Sequence, residues 1–181
     1  MAVNVSKLAI VRYPDPRLRR KAAAVALGPG GASAEVRAVA QRMIELMHEA
    51  RGVGLAAPQV GLSWRLFVTH AGDDDTPATD RVVVNPVLVR ASADTSEYEE
   101  GCLSIPGVHV NVRRPVTITL QGYDLDGRAF ELTSDALPAR VWQHETDHLD
   151  GVLIVDKMTA MDRLANRRTI AELEAAGAGS R

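Results

Sequence analysis

Cysteine occurs once in the 181 residues, at Cys102, so no disulfide within the chain is available and the fold must rest on a buried core. Neither sign of charge is in excess: 21 Lys and Arg stand against 23 Asp and Glu, a formal net charge of −2. Bulk electrostatics therefore offer no grip on a polyanion, and no direct DNA binding is expected. No apolar run approaches the ~20 residues that cross a bilayer, and residues 1–13 lack the basic, long-apolar and small-residue succession of a secretory signal. The expectation is a cytoplasmic protein without a membrane partner. What is present is ordinary: 46% hydrophobic and 24% charged residues fit one globular domain over 1–181 and argue against a disordered or fibrous chain.

Residues 10–25 carry Pro14, Pro16 and the basic cluster Arg17, Arg19, Arg20 and Lys21, and read as an irregular segment wrapping a surface. A helix follows, with Ser33 as its cap, Glu35 at the positive end of its dipole, a stripe of Val36, Ala40, Met43 and Met47, and Gly52 as its stop. The two methionines suit a pliable ligand surface or plain core packing, and helical spacing favours the core. Short strands are expected at 65–69, 82–84, 87–89 and 116–120, interrupted by the polar loop 72–80 and by Asn85-Pro86. Asp73-Asp74-Asp75 in that loop reads as solvated rather than as a cation site. Asp126-Gly127 turns the 116–120 strand into a hairpin with 129–132. A second helix is expected with Asp135 as cap, Pro138 in its first turn and Gly151 as its left-handed stop. A third spans about 159–176, anchored by Leu164 and Leu173, with Arg163, Arg167 and Arg168 on a solvated face and a frayed tail at 177–181.

The second helix contains His144-Glu145-Thr146-Asp147-His148. Histidines four residues apart share one helical face, so both imidazoles can reach one ion at about 2.0–2.1 Å. Glu145 is turned about 100° from that face and can lie beside an open ligand position, where a carboxylate can take a proton from activated water. Leu137, Arg140 and Val141 precede His144 on the same side; Leu137 and Val141 suit either an apolar substrate pocket or the core. A third ligand is needed for tight binding with a vacancy left over. Cys102, in Glu100-Gly101-Cys102-Leu103-Ser104, is the candidate, although a lone cysteine is commonly a small hydrophobe. The segment Gly52-Val53-Gly54-Leu55-Ala56-Ala57-Pro58-Gln59 is a close-approach backbone whose one polar side chain, Gln59, can donate to a developing oxyanion; a packing turn is the bland alternative.

In this order the three segments resemble the motifs of the peptide deformylase family: G-x-G-x-A-A-x-Q at 52–59, E-G-C-x-S at 100–104 and Q-H-E-x-D-H at 143–148. The resemblance extends over most of residues 8–158, and the third helix is similar to the C-terminal helix of one branch of the family. It implies an α+β fold with antiparallel β-sheets wrapped around a central metal-binding helix, flanked by an N-terminal and a C-terminal helix. It further implies a hydrolase that removes the N-formyl group from the initiator methionine of nascent polypeptides. Cys102, His144 and His148 would hold Fe(II), with Zn, Ni or Co as substitutes. Glu145 would be the acid/base, Gln59 and the Leu103 backbone N–H the oxyanion donors, and Gly54 the backbone beside the substrate. Val53, Leu137 and Val141 would receive the methionine, and Tyr98, Arg140 and Trp142 would flank the site. A monomer in transient contact with the ribosome is expected. The rival readings are a zinc endopeptidase, disfavoured because no histidine follows His148, and a metal-binding, ribosome-associated module without catalysis.

Overall fold

The computed structural model describes residues 2–73 and 77–178. In chain order its regular elements are α1 (Ala34–Glu49), β1 (Gly54–Ala56), β2 (Leu66–Ala71), β3 (Thr79–Ala91), β4 (Thr95–Glu100), β5 (Val110–Pro115), β6 (Ile118–Tyr123), β7 (Ala129–Ser134), α2 (Leu137–Leu149) and α3 (Ala160–Ala178), with short 3-10 turns between some of them. Five strands form one antiparallel sheet in the order β1-β2-β3-β6-β7, and β4 pairs with β5 as a separate antiparallel ribbon. The α+β architecture and its three helices are those expected.

Helix α1 starts as its sequence dictates, with the Ser33 hydroxyl accepting from Val36 N–H at 3.3 Å and Glu35 in the first turn. Val36, Ala40, Met43 and Met47 are all buried against β1 and β2, so the methionines are core. Its end departs from expectation. Arg51 rather than Gly52 takes the left-handed position, at φ 55°, and Gly52 N–H closes the turn on Met47 O at 2.9 Å.

The five-stranded sheet is covered on both faces, which is why the apolar run Leu66-Phe67-Val68 does not alternate. Leu66 and Val68 pack with α1, whereas Phe67 packs with Ala139, Trp142 and Leu149 of α2. Segments 82–84 and 87–89 prove to be one strand. Asn85 adopts φ 52° where the pairing with β6 shifts between Val84 and Val87, so the proline falls at a bulge. The Asn85 amide there replaces a ladder, accepting from Val25 N–H at 2.8 Å and donating to Val25 O at 2.9 Å. Residues 79–80, expected in the loop, belong to β3, and Asp74 and Asp75 lie outside the described residues. The 116–120 strand begins later, at Ile118, and its hairpin turns at Asp126-Gly127 with Gly127 at φ 78°.

Helix α2 has Pro138 in its first turn and Gly151, at φ 75°, beyond its end. Asp135 is not its cap. Ala136 holds that position without a side-chain bond, and its N–H donates to Ser134 Oγ at 3.2 Å. Helix α3 runs on through Gly177 and Ala178, which are helical rather than frayed; 179–181 are outside the described residues. Leu164 is 67% exposed and anchors nothing. The helix is held instead by polar Asn166, whose Nδ2 donates to His109 O at 2.8 Å and whose Oδ1 accepts from His109 N–H at 3.3 Å, together with Ile170 and Leu173. Polar anchors on the inner face mask the apolar periodicity that a docked helix normally shows.

Candidate metal centre

One turn of α2 separates His144 from His148, and their Nε2 atoms lie 3.2 Å apart. The chain leaving β4 brings Cys102 Sγ to 3.3 Å from His148 Nε2, and all three donor atoms lie within 4.8 Å of one another. A thiol and two imidazole nitrogens that face one another across such distances fit a cation between them, since tetrahedral bonds of 2.0–2.3 Å imply donor separations of about 3.4 Å. The mixed sulfur and nitrogen set suits a borderline-soft divalent ion. His148 is buried and His144 half-buried. Burial and the neighbouring His144 charge hold His148 well below the ordinary imidazole range.

Local structure fixes each donor. Glu100, at the end of β4, accepts from His144 Nδ1 at 3.0 Å, from Arg114 Nε and Nη2 at 2.7 and 2.9 Å, and from Arg140 Nη1 at 2.8 Å. Although burial opposes its charge, Arg114, His144 and Arg140 hold the Glu100 carboxyl well below the usual carboxylate range. Arg114 also donates to Asp147 Oδ2 at 2.8 Å, tying β5 to the metal helix. On the other side, the irregular N-terminal segment stitches two loops together: Val11 N–H donates to Gln59 O at 2.7 Å and Tyr13 N–H to Ser104 O at 2.9 Å. That gives residues 10–25 a structural task that composition alone did not suggest.

Gln59 is 1% exposed, and its amide has one allowed orientation. Its Oε1 accepts from Ala56 N–H at 2.8 Å, which turns Nε2 toward Ser104 Oγ at 3.2 Å and Cys102 Sγ at 3.6 Å. Glu145 is 3% exposed, and its Oε2 has no hydrogen-bond partner among the described residues. Burial pushes its carboxyl up to about 7, against the pull of His144 and Arg114. Gly54 lies against it: a Cβ there would sit 2.8 Å from Cδ and 3.0 Å from Cγ of Glu145.

These groups open on a cavity of about 370 Å³. Val53, Gly54, Gln59, Leu103, Leu137 and Val141 all line it together with Cys102, His144 and Glu145, while His148 lies behind them. Val53 and Leu137 are exposed at its mouth, at 43% and 46%. Tyr98 and Arg140 also line it, with the guanidinium 5.5 Å from the Tyr98 ring centre. Trp142 does not: it is buried with Phe67 in the core beneath α2, because it points from the opposite side of the helix.

The family model described as polypeptide deformylase matches residues 7–164. The chain belongs to the peptide deformylase family. It is thereby an enzyme, a hydrolase with deformylase function. It is 40% identical to a peptide deformylase of Acidobacterium capsulatum over 93% of this chain and 96% of that protein. It is 43% identical to a chloroplastic peptide deformylase of Solanum lycopersicum over 86% of this chain, and there it spans about half, 54%, of the relative's length. Among solved structures, a plant peptide deformylase superposes with a TM-score of 0.88 at 34% identity, covering 97% of this chain and 93% of that one. A peptide deformylase of Plasmodium falciparum gives 0.85 at 34% identity, covering 95% and 98%. The family is metal-dependent, and the Cys102, His144 and His148 cluster is where this deformylase-family chain can bind an ion.

Sequence reasoning missed the supports. Arg114 has no part in the sequence reading, and Glu100 and Ser104 enter it only as motif letters. The position of Glu100 two residues before the cysteine was the one available signal.

Proposed function

We propose that the chain removes the N-formyl group from the initiator methionine of nascent polypeptides, with Cys102, His144 and His148 holding one divalent ion. The observation that carries this reading is the meeting of the three donors beside a cavity lined by Cys102, His144, Glu145 and Gln59. When bound, the ion supplies Lewis-acid polarisation and lowers the pKa of a coordinated water toward about 7. Iron(II) is the ion we assign in the cell, with zinc, nickel or cobalt as substitutes; zinc binds such a set more tightly, so cellular supply decides the loading.

Glu145 takes the proton from the attacking water and later delivers it to the leaving amine. Its burial suits both steps, because a carboxyl poised near neutrality can accept and return a proton. The Gln59 Nε2 and the Leu103 N–H donate to the oxyanion that forms as the formyl carbon becomes tetrahedral. Each such donor, held in place beforehand, contributes on the order of 3 kcal/mol. Gln59 is well suited because its amide is already locked by Ala56 and cannot swing away. Val53, Leu137 and Val141 receive the methionine side chain, and the Gly54 backbone lies beside the peptide.

A monomer is the working unit we assign. A nascent-peptide substrate supports a cytoplasmic enzyme in transient contact with ribosomes. The endopeptidase reading requires a third ligand after the helix, whereas here Cys102 stands before it. Incubation of the metal-loaded protein with formyl-Met, acetyl-Met and unblocked peptides tests the proposal. Formate release from the first alone is expected; internal cleavage, or no reaction with any of them, would overturn it.

A further inference from the structure

The chain has five histidines, of which His144 and His148 belong to the centre already described. Two of the others meet elsewhere. His48, in the last turn of α1, His70, near the end of β2, and Asp80, near the start of β3, converge from three separate elements. His48 Nε2 and His70 Nδ1 each lie 2.8 Å from the same atom, Asp80 Oδ1. The imidazole ring centres are 4.8 Å apart at an interplanar angle of 73°, so the rings splay rather than stack. All three potential ligand atoms fall within 4.8 Å of one another. Their side chains are 43%, 38% and 38% exposed, which leaves an approach from solvent.

We propose that His48, His70 and Asp80 form a second metal site, taking a borderline divalent ion such as Zn2+. Two imidazoles and one carboxylate are a donor set that zinc accepts, with the remaining position left to water, and imidazole nitrogens select against Ca2+ and Mg2+. Little movement is needed. Bonds of about 2.0–2.2 Å around a tetrahedral ion require donor separations of about 3.4 Å, so the 2.8 Å contacts open by less than an ångström and the two imidazole nitrogens, within 4.8 Å of each other, shift by at most about 1.4 Å. The scaffold holds the set together: His70 and Asp80 are directly opposed residues of the β2–β3 pair, which fixes their Cβ atoms about 5 Å apart. His48 completes the group from a helix whose buried stripe is packed on that same sheet. With no thiolate, this site binds its ion more weakly and exchanges it more readily than the Cys102 centre.

The plain alternative is a hydrogen-bonded cluster in which one carboxylate orients two imidazoles. Calorimetric titration separates the two. The enzyme carrying one equivalent of Zn2+ is titrated with further Zn2+ in a non-chelating buffer. One additional equivalent is expected, weakened at least about tenfold in the His48→Ala/His70→Ala double variant and kept in His109→Ala, which removes the remaining histidine. No additional equivalent, or one that survives in the double variant, overturns the proposal. A second readout needs no variant: in long-range 1H–15N spectra of the wild-type imidazoles, His48 Nε2 and His70 Nδ1 should move together as Zn2+ is added. If both stay still while zinc binds, the site is refuted. This readout follows His48 and His70 themselves, so it reports on them whatever the Cys102 centre holds.

Discussion

Replacing Gly54 by alanine tests whether Glu145 must stand where it does. Ordinary carbon contacts lie near 3.5–4.0 Å. A Cβ at residue 54 would approach Cδ and Cγ of Glu145 to 2.8 and 3.0 Å, so the carboxyl end has to retreat by about 1 Å. Glu145 is 3% exposed and cannot retreat into solvent; it must turn away from the cavity. A displacement of about 1 Å at a reacting group costs on the order of 10²-fold in rate, or about 2.7 kcal/mol of barrier. The backbone tolerates alanine, because Gly54 has no left-handed φ, but crowding the buried Glu145 costs the fold about 1–3 kcal/mol, against which the restricted unfolded chain returns about 0.4–1 kcal/mol. The expected result is a kcat lowered about 10²-fold on a formyl-Met peptide, with full metal content, a modestly lowered melting temperature and little change in KM. A variant that keeps kcat within about threefold at full metal loading would refute the placement of Glu145 as acid/base. A rise in KM with kcat intact would show that the methyl meets the peptide instead.

Glu100→Gln should weaken metal binding about 10–100-fold, since His144 loses its charged acceptor, and should destabilise the fold by up to about 3 kcal/mol as buried Arg114 keeps only Asp147 and half-buried Arg140 loses its carboxylate partner; competition with a chelator and denaturant unfolding measure the two effects. Gln59→Ala should cut kcat by about 10²-fold or more while metal content holds, read by steady-state kinetics and metal analysis. Normal turnover with lowered thermal stability would make Gln59 a packing residue. At the β3 bulge, Asn85→Ala should cost about 1–2 kcal/mol more than Asn85→Gly in urea unfolding, because both lose the Val25 hydrogen bonds but only alanine is strained at φ 52°.

What could be read from the sequence was written within a few neighbouring residues. Ser33 caps α1 through a bond to Val36, the Asp126-Gly127 turn closes its own hairpin, and Gly151 ends α2, each decided by a local backbone demand. The misreadings share the opposite property. Asn85-Pro86 looks like a break until Val25, 60 positions away, supplies the hydrogen bonds that keep the strand continuous. Leu164 looks like an anchor until the backbone of His109 shows that α3 docks through Asn166. Arg51 takes a strained left-handed turn that the adjacent glycine was better suited to take, and Gly52 is instead placed where a Cβ would strike the Leu103 side chain, 3.2 Å from its Cγ.

The candidate site divides along the same line. Histidines at i and i+4 are a chelate by helical geometry alone, and Cys102 gains its meaning in their company, so the donors were legible. Whether those nitrogens can act as donors is settled elsewhere. An imidazole ligates through Nε2 only if Nδ1 carries the proton, and a carboxylate facing Nδ1 enforces that tautomer because it can only accept. Glu100 is that carboxylate for His144, and it stays ionised because Arg114 and Arg140 close on its other oxygen positions. No spacing rule selects an arginine 14 residues on in the neighbouring strand, or a second one on the helix 40 residues on. The even balance of charge along the chain conceals how it is placed locally: two guanidinium groups converge on one buried carboxylate, and that carboxylate holds the His144 ring by Nδ1 so that Nε2 faces His148.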